Sequence, residues 1–335
     1  VIYFVSSKIP FGFYKKNALW LALLFWAPLI LVVFLGIKVN GMTGWFLISY
    51  FPHPIYCQPA ELAKPAYILF MCYVCNLHKT THLKKLKNAC CPQSESNVAN
   101  GKKMPVFKNF IFMFTSCLLW IFPIVLEPDF GTAIIYFAGF VFVYWIGGGE
   151  KLYLAIIFIF GIVSSIAVVL TKPYVLHRIL GYLFPLSDQY GAGWHTMQFR
   201  YAMARGGLEG AGLGKALWSN AYLPLSHTDS IFSSLTETLG FLGVLPVLIG
   251  FILLVYLTFT LALQSKDYFV TLFSCSLVSL ITFQVFLHIG VNVGLLPPTG
   301  ITLPLLSYGG SSLVSTMFGF GMLISAAKHS KRKKS

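Results

Sequence analysis

An all-α, polytopic bundle of membrane helices is the fold class this sequence predicts, and three observations predict it. Hydrophobic residues make up 57% of the 335 residues and charged ones 10%, with a mean hydropathy of +0.76, too little polar surface to cover a soluble core of this size. Uncharged runs long enough to cross about 30 Å of hydrocarbon, roughly 20 helical residues, recur along the whole chain. Basic residues gather in alternate connections, which is how Lys and Arg orient membrane spans.

Taken in order, the runs place eight spans near 18–37, 60–77, 109–126, 131–146, 152–170, 239–263, 268–293 and 309–327. The apolar stub Val1–Val5 reads as the tail of an earlier span, so the natural protein is expected to be longer. With 1–17 on the cytoplasmic side, the inner connections hold Lys8, Lys15, Lys16, seven lysines between 79 and 108, Lys151, Lys266 and the basic tail from Lys328 to Lys334. The C-terminus is then cytoplasmic. The formal charge of +14 reflects this orientation and contact with anionic membrane lipids, and nucleic acid is not an expected partner. The whole of 1–335 reads as one membrane domain. Within it, 78–108 is a polar, turn-rich cytoplasmic connector and 171–230 is a large extracytoplasmic loop whose aromatic residues suit a membrane surface.

Only ten acids are present, and Glu61, Glu127, Asp129, Asp188, Glu209, Asp229 and Glu237 fall at or near the outer face. They either mark a site or simply solvate the outer loops. Cys72 and Cys75 form a C-x-x-C followed by His78 and His82, but no second pair follows at zinc spacing, so packing is the expected role. GLEGAGLGK at 207–215 lacks the spacing of a nucleotide loop, although its backbone amides with Lys215 could cradle a diphosphate or form a plain turn. The stretch LLPPTGITLPLLSYGGSS at 295–312 cannot be a continuous helix, and its irregular backbone implies a cavity. In QPAELAK at 58–64, Glu61 and Lys64 lie one turn apart, close enough to pair or to bind substrate.

The stretch YLPLSHTDSIF at 222–232 is the most informative. Asp229 stands in N-cap position for a helix expected from Ser230, and Asp229, Ser233 and Glu237 fall at i, i+4 and i+8, a polar stripe two turns deep. Capping and chemistry remain equally good explanations on these residues alone.

Four stretches, QPAELAK at 58–64, EPDFGTA at 127–133, YLPLSHTDSIFSSLTETLGFLG at 222–243 and LPLLSYGGSS at 303–312, together resemble the SEDS family of shape, elongation, division and sporulation proteins, with a slight preference for its FtsW-like, division-type branch. The resemblance spans nearly the whole chain and implies a ten-span fold of which about eight spans are present. It further implies a peptidoglycan glycosyltransferase that polymerises lipid II into glycan strands at the outer face of the cytoplasmic (inner) membrane. The expected partner is a class B penicillin-binding transpeptidase within divisome or elongasome assemblies. Asp229 takes the catalytic position. Glu61, Lys64, Gln198, His227, Glu237, Ser307 and Ser311 form the expected substrate-binding lining, and Arg200, Arg205 and Lys215 are placed to offset diphosphate charge. No cofactor is required by the motifs; a divalent cation, Mg or Mn, is the candidate one. Two departures stand out: Gly44 occupies the position before Trp45 where the family often carries Arg, and Thr238 replaces a second Glu. A flippase or transporter for the same lipid and a silent scaffold are the competing readings. The sequence shows neither paired repeats nor a charged path through the bilayer midplane, as a transporter would.

Overall fold

The computed structural model describes residues 1–39, 42–49, 55–77, 106–187, 191, 193–223 and 225–332. The connector expected at 78–108 therefore lies outside the described residues, apart from the start of the helix at Val106. His78, His82 and Asp188 also lie outside them. Among the described residues the chain is helical with one small sheet, and it divides into two compact units: Val1–Phe158 with Thr258–Leu280 and Val314–Ser335, and Ile159–Leu257 with Ile281–Leu313.

The first unit begins with the short helices α1 (Ile2–Lys8) and α2 (Phe11–Lys16) and the apolar helix α3 (Ala18–Leu35). A three-stranded antiparallel sheet follows, β1 (Ile37–Val39), β2 (Met42–Ile48) and β3 (Ile55–Cys57), with Ile37 opposite Trp45, Val39 opposite Met42 and Phe46 opposite Cys57. The hydropathy reading did not place this sheet. Helix α4 (Pro59–Leu62) follows, and α5 (Lys64–Leu77) packs with α6 (Val106–Leu126) and α7 (Phe130–Ile146). Gly139 permits the close approach of α7 to α5, since a Cβ there would come within 3.0–3.1 Å of Ile68 and Tyr67; small residues serve this purpose between membrane helices. The buried Tyr67 hydroxyl donates to the Tyr136 carbonyl (2.9 Å) and the buried Tyr136 hydroxyl to the Ala60 carbonyl (2.8 Å).

Helix α8 (Lys151–Thr171) buries only Ile157, and its exposed Phe158, Ile159, Ile162 and Val163 form the apolar surface that lipid requires. Three short helices occupy the long loop: α9 (Pro173–Leu183), α10 (Trp194–Gly206) and α11 (Leu217–Ala221), with no strand among its described residues. Phe199, Ala202 and Leu223 pack there against Val291, with Trp218 and Leu296 around them. The last three helices are α12 (Ile231–Leu263), α13 (Tyr268–Asn292) and α14 (Gly310–Arg332). All eight expected spans thus coincide with helices, five of them long and apolar enough to cross a membrane by themselves.

Helix α12 is broken at Gly240, whose backbone (φ 70°, ψ 179°) is one that only glycine adopts without strain. Beside the break, the loop at 207–212 pairs with four backbone groups of the helix. Phe241 and Leu242 N–H donate to the carbonyls of Gly207 and Leu208, while Ala211 and Gly212 N–H donate to those of Glu237 and Thr238, at 2.8–3.1 Å. Amides that the sequence offered to a diphosphate are thereby spent on repairing a helix, and the plain structural reading of those glycines prevails for Ala211 and Gly212.

Candidate functional site

A cavity of about 80 Å³ lies in the second unit, large enough for several water-sized groups. Asp229 lines it, together with Arg178 from α9, His195 and Phe199 from α10, His288, Val291 and Asn292 from α13, and the irregular stretch 298–301. Arg178 and His195 are exposed and form its rim, whereas His288 and Asn292 are almost wholly buried. The expectation that 295–312 encloses a cavity is met by residues 298–301.

Asp229 ends a turn that is fixed from several directions. The Ser230 carbonyl accepts the first intrahelical bond from Ser234 N–H (3.0 Å), so Ser230 holds the N-cap position and Asp229 sits one residue outside it, a correction to the capping expectation. Asn292 donates from one amide nitrogen to the carbonyls of both Asp229 (3.0 Å) and His288 (2.9 Å), and its oxygen accepts from Ser233 N–H (3.1 Å) and Oγ (2.8 Å). Ser307 Oγ donates to the Thr228 carbonyl (2.8 Å) and accepts from Leu303 N–H (2.7 Å). Tyr308 N–H donates to the His227 carbonyl (2.7 Å), and the Tyr308 ring meets the exposed His227 ring edge-on at 5.8 Å. A Cβ on Gly300, where φ is +71°, would stand 3.6 Å from Asp229 Oδ2, so the backbone approaches the carboxylate closely.

Several of the expected lining residues are committed elsewhere. Glu237, fully buried, accepts from Trp218 N–H (2.9 Å), Ser219 N–H (2.6 Å) and Ser219 Oγ, which anchors the start of α11, and it pairs with Arg205 Nε at 3.4 Å. It holds the loop and does not line the cavity. Gln198 accepts from Trp218 Nε1 (2.8 Å) and ties α10 to α11. Arg200 packs over Gly294, with its Nε 3.1 Å from where a glycine Cβ would lie. Lys215 is exposed, and Ser311 is buried in the first turn of α14.

Glu61 and Lys64 belong to the first unit, where they form a buried pair at 2.6 Å. Asp129 caps α7 by accepting from Thr132 N–H (3.0 Å), and also accepts from Gln58 Nε2 (3.0 Å). Glu127 is fully buried, and neither of its oxygens has a hydrogen-bond partner among the described residues. Burial first, and the neighbouring Asp129 second, push its carboxyl up to about 8. Its Oε2 lies 2.6 Å from where a Cβ on Gly44 would be, so the glycine makes room for this acid.

Sequence reasoning missed the polar face of α13. Gln284, His288 and Asn292 repeat at i, i+4 and i+8 inside an apolar run, the same spacing that singled out Asp229, and all three hold the second unit's irregular backbone. Gln284 donates to the Thr302 carbonyl (2.9 Å), His288 to that of Ile301 (2.7 Å) and Asn292 to that of Asp229. Among the described residues no three His, Cys, Asp or Glu side chains gather as a metal-holding group.

A multi-pass helical membrane protein with an aspartate, its backbone held by Asn292, in a cavity walled in part by irregular chain is the class these features define. The chain belongs to the FtsW/RodA/SpoVE cell cycle protein family, whose profile matches residues 1–332. It is 30% identical over 331 residues to the probable peptidoglycan glycosyltransferase FtsW of Buchnera aphidicola, covering 96% of this chain and 79% of that protein. It is 32% identical to stage V sporulation protein E of Bacillus subtilis, covering 90% and 76%. Among solved structures it resembles a chain of a peptidoglycan synthase complex described as coordinating polymerization and crosslinking (TM-score 0.73, 26% identity, 98% and 85% coverage). The fold of the rod shape determining protein RodA of Thermus thermophilus is also similar (TM-score 0.62, 24% identity, 98% and 83% coverage).

Proposed function

We propose that this protein is a peptidoglycan glycosyltransferase that polymerises lipid II into glycan strands at the outer face of the cytoplasmic membrane, with its C-terminus cytoplasmic. The relatives named as probable glycosyltransferases support the reaction, and the alternation of basic connections supports the orientation. The observation that carries the reading is the presence of Asp229, its backbone clamped by Asn292, in the cavity of the second unit. A sugar hydroxyl is a weak nucleophile, and an aligned carboxylate removes its proton as the bond to the anomeric carbon forms. The bond from that carbon to the diphosphate breaks, and the leaving undecaprenyl diphosphate takes the electron pair. Arg178 at the cavity rim can offset its charge, with Arg200, Arg205 and Lys215 as further basic groups of the same unit.

Crosslinking is left to a class B penicillin-binding transpeptidase, the partner class that the relation to a synthase complex supports. The reading is tested by Asp229→Asn, which keeps the side-chain volume but provides an amide that is not a base. Strand synthesis should fall by about 10²–10⁴-fold with normal insertion and folding. Wild-type synthesis by that variant would remove Asp229 from the chemistry.

A further inference from the structure

Two residues that line the cavity beside Asp229 carry a polar atom that the protein itself leaves without a partner: His288 Nε2 and Thr299 Oγ1 are both buried and make no hydrogen bond among the described residues. For His288 the hydrogen-bonding role of Nε2 is fixed. Its Nδ1 lies 2.7 Å from the Ile301 carbonyl oxygen, which can only accept, so the ring proton resides on Nδ1 and the lone pair of the neutral imidazole is on Nε2. His288 is 1% exposed, so bulk water does not serve that lone pair from outside the cavity. What it needs is a neutral O–H or N–H donor arriving in the cavity.

Asn292 sets the geometry. One amide nitrogen binds the carbonyls of both Asp229 and His288, which couples the backbone that carries the acid to the backbone that carries the acceptor. A sugar edge with adjacent hydroxyls matches this arrangement, with one hydroxyl at Asp229 and a neighbouring O–H or N–H reaching His288, while Thr299 Oγ1 can donate or accept beside it. We propose that His288 Nε2 accepts a hydrogen bond from the attacking saccharide and so holds that sugar in the cavity beside Asp229. The proposal rests on the polymerase reading for the identity of the ligand.

Asn and Gln substitutions separate this role from a tether, because an Asn amide reproduces the Nδ1 bond to Ile301 and abandons the Nε2 position, whereas a Gln amide reaches the Nε2 position. The assay uses the full chain with its transpeptidase partner and fluorescent lipid II. His288→Asn should raise KM about tenfold, the scale of one lost hydrogen bond at a buried site, with kcat within about threefold and an unchanged Tm. His288→Gln should return KM to within about threefold of the wild type. A wild-type KM in His288→Asn, or a worse KM in His288→Gln than in His288→Asn, would overturn the proposal in favour of a tether. If His288→Asn does not accumulate, the ¹⁵N resonance of Nε2 in wild-type protein decides: it should move when lipid II is added, and an unmoved resonance rejects the proposal. Strands made by the wild type, lost in Asp229→Asn and unaffected in His288→Asn remove only His288. A wild type that neither binds nor polymerises lipid II removes the polymerase reading and this inference together.

Discussion

Asp229 and Glu237 occupy one stripe of α12 and its preceding turn, yet their surroundings give them opposite work. Glu237 satisfies the first amides of α11 with a charged acceptor, so Glu237→Gln replaces charge-assisted bonds with weaker ones and sets an amide N–H against the donor Ser219. A loss of about 2 kcal/mol in stability is expected, read as a lower Tm in detergent, with activity falling less than in Asp229→Asn. Glu127 predicts a pH dependence. Its carboxyl is raised from 4.5 to about 8, so the folded protein retains a proton that the unfolded chain releases. The contribution to stability is fully present below about pH 4.5 and is lost as the pH rises to about 8. Glu127→Gln should abolish that slope and be more stable than the wild type at pH 9, measured by thermal unfolding across the range. Asp229 was legible because a carboxylate entering an apolar run is conspicuous. The role of Glu237 was not, because the amides it holds lie 18 and 19 residues earlier in the chain and no local pattern announces them.

At the scale of elements, the spans were readable because lipid imposes long uncharged runs, and the helices agree with them from Ala18 to Arg332. The sheet at 37–57 was missed although Asn40-Gly41 is a strong hairpin signal, because the hydropathy reading treated the outer turns as short connections. The break at Gly240 was also invisible, since a glycine within a helical pattern does not reveal which loop will fill the gap. Two substitutions in the same helix test it. Gly240→Ala puts a Cβ 2.3 Å from the Leu208 carbonyl oxygen in a backbone conformation that Ala resists, so a loss of about 3 kcal/mol or failure to accumulate is expected. At Gly250 a Cβ meets nothing within 4 Å, and Gly250→Ala should be neutral or stabilising by up to about 1 kcal/mol. Fluorescence-detected size exclusion after heating reads both. Equal behaviour of the two variants would mean that the backbone exchange at 207–212 contributes nothing.

For the whole molecule, the chemistry assigned to this chain ends at an uncrosslinked strand, and the related synthase complex couples polymerization to crosslinking. The isolated protein is therefore expected to make few or no long strands from lipid II, and addition of its class B transpeptidase should restore them, measured by strand length on gels. Full activity without the partner would contradict this. The repair at Gly240 also has a meaning in the time order of synthesis. The patch at 207–212 is translated before the break that it mends, so when α12 enters the membrane the partners for its interrupted backbone have already been made. A break patched by a later segment would have had to wait in hydrocarbon with its polar groups bare; this one is inherited from the chain already delivered.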